Sequence, residues 1–217
     1  MLPPGCPAWQ YGAHPDCHRL LGEAQLSLLQ DIQAQKLTTD IAVRDTRPIH
    51  LRLFRELAPS GHEYYAGNYR GSHQKCLRTY SVSIVDSATG KVVDDLVGTK
   101  PDQVLKEIAG FGSAIANAIE ALQQTKFVDD SDRIIAIVKI ACEAFVTFLT
   151  VHPFFDGNGH VGRTLLFVVL RKFGFKPLSW TIDPRPPFPA YSDMIYQHRR
   201  GNKAQLEQFV LSCVGPV

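Results

Sequence analysis

The stretch HPFFDGNGH, residues 152–160, separates two strongly apolar runs of the chain and decides how they fold. Pro153 disfavours a helical conformation at His152, so a helix formed by the preceding apolar run must end there. Gly157 and Gly159 weaken any helix that would continue through the stretch. The sequence therefore predicts a helix, a turn and the amino end of a second helix.

The spacing within this stretch suggests a second interpretation, which the turn removes. His152, Asp156 and His160 are four residues apart, so in a continuous helix they would line one face like metal ligands. Because proline and glycine interrupt the helix, this spacing does not indicate a metal site.

The apolar runs on either side of the stretch predict the core. Residues 130–152 are apolar on nearly every side after an Asp/Ser cluster suited to capping, and residues 161–175 are equally apolar until Arg171 and Lys172. Helices that are apolar all round are buried ones. We therefore expect a mainly α fold, built around two buried antiparallel helices.

The rest of the chain adds further helices and one hairpin. Alternation of Tyr80, Val82 and Ile84 with polar residues predicts a β-hairpin within residues 79–97. Helical periodicity and Pro-led starts predict further helices at 18–36, 48–58, 101–123 and 191–214, the last interrupted at Gly201-Asn202. We expect an N-terminal arm and helix in residues 1–47 and the main helical part in 48–217, packed as one compact domain.

Composition excludes some partners. The chain has 217 residues, 45% of them hydrophobic, with 23 basic and 21 acidic residues and a formal charge of +2. So balanced a charge gives no indication of binding to nucleic acid or to a membrane surface, and neither partner is expected.

The cysteines and the N-terminus predict a location. Five scattered cysteines favour a reduced compartment, and a zinc site at Cys6, His14, Cys17 and His18 has no common ligand spacing. The N-terminus lacks the pattern of a secretory signal, and no run is expected to reach the roughly 18 apolar residues that a membrane span needs. We expect a cytoplasmic protein, although export by a route without a signal stays open.

The turn itself predicts a phosphate site. Glycines around Asn158 let backbone N–H groups converge, and the dipole of the following helix favours an anion there. Arg163, in the first turn of that helix, would face the same ligand. Asp156 can hold Mg²⁺ through one carboxylate, and His152 is placed to take a proton from a hydroxyl.

The same residues resemble a family signature. HPFFDGNGHVGR at 152–163 is similar to the Fic motif His-Pro-Phe-x-Asp/Glu-Gly-Asn-Gly-Arg-x-x-Arg, with His160 in place of the first Arg. EYYAGNYRG at 63–71 also resembles a Fic segment, and the resemblance extends over roughly residues 50–213. It implies a Fic-type (Fido) helical bundle whose β-hairpin, at 79–97, is a flap that docks the target protein as an added edge strand.

The resemblance also implies an activity: Mg²⁺-dependent transfer of AMP from ATP to a Ser, Thr or Tyr hydroxyl of a protein. His152 would be the base, Asp156 the metal ligand, and the Asn158 side chain would contact the α-phosphate, while Arg163 would hold the terminal phosphates. The nucleotide-binding positions implied are Phe154, Asp156, Gly157, Asn158, Gly159, His160, Gly162, Arg163 and Tyr191.

Some of these positions have a second interpretation. Phe154 and Phe155 are predicted to anchor the loop in the core, and Tyr191 is either a base-stacking residue or an ordinary aromatic on a helix face.

Departures from the family pattern leave alternatives open. His160 lacks the guanidinium fork, so its phosphate contact would be weaker and pH-dependent. His198, Arg199 and Arg200 stand near the expected base and ribose, which leaves the nucleotide open. No Ser or Thr has Glu four residues later, so the pattern of the family's inhibitory helix is absent. Restraint by a separate inhibitory protein, a constitutively competent enzyme, and a rate damped by His160 are the alternatives. Transfer of UMP or phosphocholine, or a nucleotide-binding pseudoenzyme, remain the competing functions.

Overall fold

The computed structural model describes residues 2–85, 92–186 and 191–216. Its helices are α1 Cys17–Gln33, α2 Thr39–Arg44, α3 Arg47–Phe54, α4 Val104–Gln124, α5 Asp130–Val151, α6 Asn158–Lys172, α7 Tyr191–Arg199 and α8 Ala204–Ser212. Short 3-10 helices lie at Tyr11–Ala13, Arg55–Leu57, Glu63–Tyr65 and Pro101–Gln103. The mainly α prediction is confirmed.

The two central helices, α5 and α6, pack antiparallel and form the core, as predicted. Asp129 caps α5 by accepting the Ser131 N–H at 2.7 Å. Gly162 lets the helices approach closely, since a Cβ at that residue would lie 2.9 Å from Phe145 Cδ2. Helix α6 begins at Asn158, three residues before the predicted start, so the Gly-Asn-Gly turn forms its first turn.

Two small antiparallel sheets complete the fold. The first pairs β1 (Ile84–Val85) with β2 (Val92–Asp94), which confirms a β-hairpin flap, although its strands are shorter than predicted. The predicted turn at residues 86–90 lies outside the described residues. The second sheet pairs β3 (Phe175–Pro177) with β4 (Val214–Pro216) and was not predicted.

The C-terminal helix is split as predicted. Helix α7 ends at Arg199 and α8 begins at Ala204, so the break falls at Gly201-Asn202. Gly201 has φ +92°, a left-handed conformation that glycine adopts without steric cost.

A disulfide joins Cys6 to Cys76, 70 residues apart in sequence. The expectation of reduced cysteines was therefore wrong for these two. Cys17, Cys142 and Cys213 are free and buried. The disulfide attaches the N-terminal segment to the body of the domain.

The expectation that no segment is long and apolar enough to span a membrane was also wrong. Within the described ranges, one helix, α5, is long and apolar enough to cross a membrane, with an 18-residue window of mean hydropathy 2.2. Of that window, 56% is buried inside the fold, and the core helix of a soluble protein passes the same test.

Candidate active site

The loop between α5 and α6 is held by its own backbone and by Asn158. His152 ends α5 in the left-handed conformation (φ 52°), with its N–H donated to Phe148 O at 3.0 Å. Both polar atoms of the Asn158 side chain bond the backbone of Phe154: Oδ1 accepts its N–H at 2.9 Å and Nδ2 donates to its carbonyl at 3.0 Å. The Asn158 side chain therefore clamps the loop, and its predicted contact with the α-phosphate stays a prediction.

Gly157 is required by both its conformation and its neighbour. Its φ is +74°, and a Cβ at this residue would lie 2.4 Å from Cε2 of Phe54. The ring of Phe54 thus packs directly on the backbone of the turn, which fixes where the first turn of α6 begins.

Arg70 supports the loop from the other side. Its fully buried guanidinium donates to the carbonyls of His152 (2.7 Å), Tyr80 (3.0 Å), Thr99 (3.0 Å) and Val151 (3.1 Å). Burial lowers the pKa of Arg70 to about 10, so it is still charged at neutral pH. The sequence singled out this segment only by resemblance and gave Arg70 no role.

His152 lies at the cavity as a neutral imidazole. Burial, followed by the charge of Arg70, lowers the pKa of His152 to about 4. Its Nδ1 lies 3.3 Å from the Leu149 carbonyl. The Nδ1–H tautomer donates to that carbonyl and leaves Nε2 with a lone pair, which is what a general base needs.

Asp156 is oriented by two backbone donors. Its Oδ1 accepts the Gly157 N–H at 2.7 Å and its Oδ2 accepts the Tyr11 N–H at 3.1 Å. Burial raises the pKa of Asp156 overall, although these two hydrogen bonds oppose the rise. No group of three or more metal-ligating side chains occurs in the described parts of the chain. A lone carboxylate whose oxygens each keep a free lone pair fits Mg²⁺ held mainly by water and phosphates.

Arg163 lies against the first turn of α6. It is buried, and its Nε donates to the carbonyl of Ile182. A Cβ at Gly159 would lie 3.1 Å from Arg163 Nη1, so glycine gives the guanidinium its room. The Arg163 guanidinium therefore lies beside the first turn of α6. The N–H groups at the start of a helix have no acceptor within that helix.

His160 is held in an aromatic and acidic environment. Its Nε2 lies 3.1 Å from Asp183 Oδ1, and the rings of Tyr11 and Phe54 meet it edge-on with centroids 5.2 and 5.6 Å away. Burial and the charge of Arg163 lower the pKa of His160, so it is neutral at neutral pH. A neutral His160 cannot replace the cation that the family motif carries here.

One cavity of about 650 Å³ brings these groups together. The predicted site residues that line it are His152, Asp156, Gly157, Asn158, Gly159, His160 and Arg163. Phe154 and Gly162 do not line it. Phe154 is fully buried and stacks on His50 with centroids 3.8 Å apart, and Gly162 serves helix packing. The structure therefore does not bring these two residues to the cavity, and their role in nucleotide binding stays a prediction.

The far end of the cavity is formed by α7 and the flap. Arg199 lines the cavity, and it bonds Thr150 Oγ1 through Nε at 3.2 Å and pairs with the buried Asp94. His198 and Arg200 do not line it. The Tyr191 side chain lies outside the described residues, so its predicted role stays a prediction.

Several lining residues were not predicted. They are Tyr11, Ile84, Asp94, Val97, Leu149, Arg185, Ser192, Asp193, Ile195 and Tyr196. Most stand outside any motif, and Tyr11 is 145 residues from Asp156.

Comparison with known proteins places the chain. The model of the Fic/DOC family matches residues 41–170. No curated protein sequence matches the chain.

Two similar folds are known from Bartonella. The N-terminal Fic domain of a VirB-translocated Bep effector from Bartonella quintana has a TM-score of 0.57 at 15% identity, covering 92% of this chain and 81% of that one. The BepC effector of Bartonella tribocorum, with bound AMPPNP, has a TM-score of 0.56 at 13% identity, covering 100% and 96%. Because the family model spans more than half of the residues and the motif loop lies within it, this chain belongs to the Fic/DOC family, whose members are generally transferases acting on nucleotide substrates.

Proposed function

We propose that the protein transfers AMP from ATP to a Ser, Thr or Tyr hydroxyl of a target protein, with Mg²⁺ as cofactor. The observation that carries the proposal is that His152, Asp156, Arg163 and the first turn of α6 line one cavity of about 650 Å³. They supply a neutral base, a metal ligand, a cation and anion-binding N–H groups. A cavity of this volume is in the range that small-molecule ligands occupy.

In the proposed reaction His152 accepts the proton of the target hydroxyl on Nε2. The hydroxyl oxygen forms a bond to the α-phosphorus of ATP, and the bond from that phosphorus to the bridging oxygen of pyrophosphate breaks. Pyrophosphate leaves with the electron pair of the broken bond. A neutral histidine is required for the first step, and burial beside Arg70 keeps His152 neutral.

The phosphates are stabilised by positioning and charge. The N–H groups and positive dipole end of α6 face the transferred phosphate, and Arg163 holds the terminal phosphates so that pyrophosphate leaves in line with attack. Asp156 would hold Mg²⁺, which when bound neutralises charge on the nucleotide phosphates. The ATP analogue bound in the Bartonella tribocorum neighbour supports a nucleotide as the ligand class.

The target protein is proposed to dock at the flap. Strands β1 and β2 form a sheet of only two strands, so each has an edge to which an extended segment can add. Ile84 and Val92 are exposed, at 37% and 56%, and offer apolar contact beside that edge. A docked segment would bring its hydroxyl to the mouth of the cavity, which Ile84 also lines.

A second candidate function is nucleotide binding without transfer. The observation in its favour is that His160 is neutral and bonded to Asp183 where the family motif has an arginine. Transfer of UMP or phosphocholine is a variant of the first proposal, because the loop contacts the phosphates and not the rest of the donor. A separate inhibitory protein would also fit a chain without the family's inhibitory helix.

The test compares labelled ATP, CTP, GTP and UTP as donors to a mixed protein substrate, with self-labelling measured in parallel. His152→Asn is the control variant, because asparagine tolerates the left-handed backbone of His152 while lacking a base. We expect labelling from ATP with the wild type and none with His152→Asn, which should still bind nucleotide. Tight nucleotide binding with no transfer from any donor would favour the second candidate.

A further inference from the structure

The N-terminal arm, residues 2–16, is attached to the domain beside the loop between α5 and α6. Cys6 forms the disulfide with Cys76, and Trp9 Nε1 donates to the Leu57 carbonyl at 2.8 Å. Tyr65 Oη donates to the Pro7 carbonyl at 3.0 Å. These attachments hold the part of the arm that precedes its 3-10 helix, Tyr11–Ala13, in the sequence. The arm lies outside residues 41–170, which match the family model, so it is an addition to the matched region.

Tyr11 is where the arm meets the site. Its main-chain N–H donates to Asp156 Oδ2 at 3.1 Å. Its ring packs edge-on against His160, with an interplanar angle of 89° and centroids 5.2 Å apart, and against Phe54 at 5.0 Å. Tyr11 thus touches both the proposed metal ligand and the residue that departs from the family motif.

The volume of the cavity shows whether Tyr11 lines the site or blocks it. With Tyr11 in place the cavity is still about 650 Å³, and Tyr11 is one of its lining residues. That space is in the range used by small-molecule ligands, so the arm does not close the site. The bond to Asp156 uses one lone pair of Oδ2 and leaves another for a metal ion. Tyr11 therefore forms part of the site's wall.

We propose that Tyr11 is a positioning residue of the nucleotide site: its main-chain N–H orients the Asp156 carboxylate for Mg²⁺-nucleotide, its ring holds His160, and the Cys6–Cys76 disulfide keeps it there. The proposal rests on the proposed function for the identity of the ligand. A carboxylate that is already oriented loses less freedom when it binds a metal ion, so removing the N–H weakens binding of the metal–nucleotide complex.

The backbone of the arm permits a matched pair of variants. Tyr11 is the first residue of its 3-10 helix, where proline is tolerated, and Gln10 has φ −135° and ψ 108°, an extended conformation suited to a residue before proline. Tyr11→Pro and Tyr11→Ala both lose the ring, but only Tyr11→Pro loses the N–H. The difference between the two therefore isolates the bond to Asp156.

The measurement is the affinity for AMPPNP, by calorimetry, with Mg²⁺ and again with EDTA. We expect Tyr11→Pro to bind about tenfold more weakly than Tyr11→Ala with Mg²⁺, the size of one hydrogen bond to a charged group, and equally with EDTA. Equal binding of Tyr11→Pro and Tyr11→Ala with Mg²⁺ would overturn the proposal. Binding by Tyr11→Ala that is tighter than that of the wild type would also overturn it, because the arm would then be blocking the site.

A second variant tests the anchor independently. Cys6→Ser frees the arm without changing Tyr11, so we expect weaker Mg²⁺-AMPPNP binding and a smaller difference when Tyr11→Pro and Tyr11→Ala are compared in that background. An unchanged affinity in Cys6→Ser would contradict the role of the disulfide. Transfer is assayed on the same samples. Wild-type protein that binds Mg²⁺-AMPPNP without transferring AMP would refute the proposed function alone, and wild type that binds no nucleotide would refute both.

Discussion

Arg70 Nε donates to the carbonyl oxygen of His152 at 2.7 Å, across 82 residues of sequence. The guanidinium is fully buried, and its other bonds also go to backbone carbonyls. Its hydrogen bonds therefore hold the end of α5 and the start of the loop between α5 and α6. The same charge helps to keep His152 neutral. One side chain thus fixes the place of the proposed base and, after burial, helps to keep it neutral.

Replacing Arg70 by Met should destabilise the fold and abolish transfer. The change leaves buried carbonyls unpaired, which we expect to lower the free energy of unfolding by roughly 3 kcal/mol. The matched control is Arg78→Met, because Arg78 is exposed and its guanidinium donates to the His73 carbonyl at 3.0 Å. Urea unfolding of both variants measures the difference, and equal stabilities would contradict a structural role for Arg70.

Gly157→Ala should disrupt the turn by more than its backbone conformation explains. A Cβ would meet the Phe54 ring at 2.4 Å, and Phe54 is buried and cannot move away freely. Gly61→Ala is the control, since Gly61 has a similar φ of +76° with no atom within 4 Å of the added Cβ. We expect a loss of about 1 kcal/mol in the control and roughly 3 kcal/mol or more at Gly157. Thermal unfolding would show similar losses if packing on Phe54 were unimportant.

The stability of the protein should fall as the pH drops below about 6.5. Burial lowers the pKa of His50 to about 3 and that of His152 to about 4. Between those values and the ordinary histidine pKa, the unfolded chain binds a proton that the folded chain does not, so acid favours unfolding. From pH 7 to 5 each buried histidine should cost on the order of 1–2 kcal/mol.

His50 allows this pH effect to be tested separately. Its Nε2 lies 2.9 Å from the Asp156 carbonyl, and its Nδ1 accepts the Gly67 N–H at 2.9 Å, so a second ring proton would break a bond. His50→Gln removes the titration and should make the unfolding free energy less dependent on pH. His73→Gln, at the exposed His73, should not. An unchanged pH dependence in His50→Gln would show that His50 is not responsible.

His160→Arg should raise the transfer rate several-fold. Arginine restores a permanent cation at the start of α6, where negative charge develops on the phosphates, and Asp183 can pair with its fork. His160→Gln removes the imidazole without adding charge and serves as the control. An unchanged or lower rate in His160→Arg would show that His160 is not a weakened substitute for arginine.

The sequence by itself determined the parts of this protein whose signals are local. Apolar periodicity predicted α5 and α6, and Pro153 with the glycines predicted the turn between them, because backbone restrictions act within a few residues. The identities of His152 and Asp156 as candidate site residues followed from the same short stretch.

Only the tertiary structure decided which distant groups complete the site. Arg70 on His152, Tyr11 on Asp156, and Cys6 on Cys76 join residues 82, 145 and 70 positions apart. The structure also decided that the Asn158 side chain bonds the Phe154 backbone and that His160 bonds Asp183. Such choices depend on burial, which requires each buried polar group to find a partner wherever the fold brings one within reach, and no local pattern records where that is.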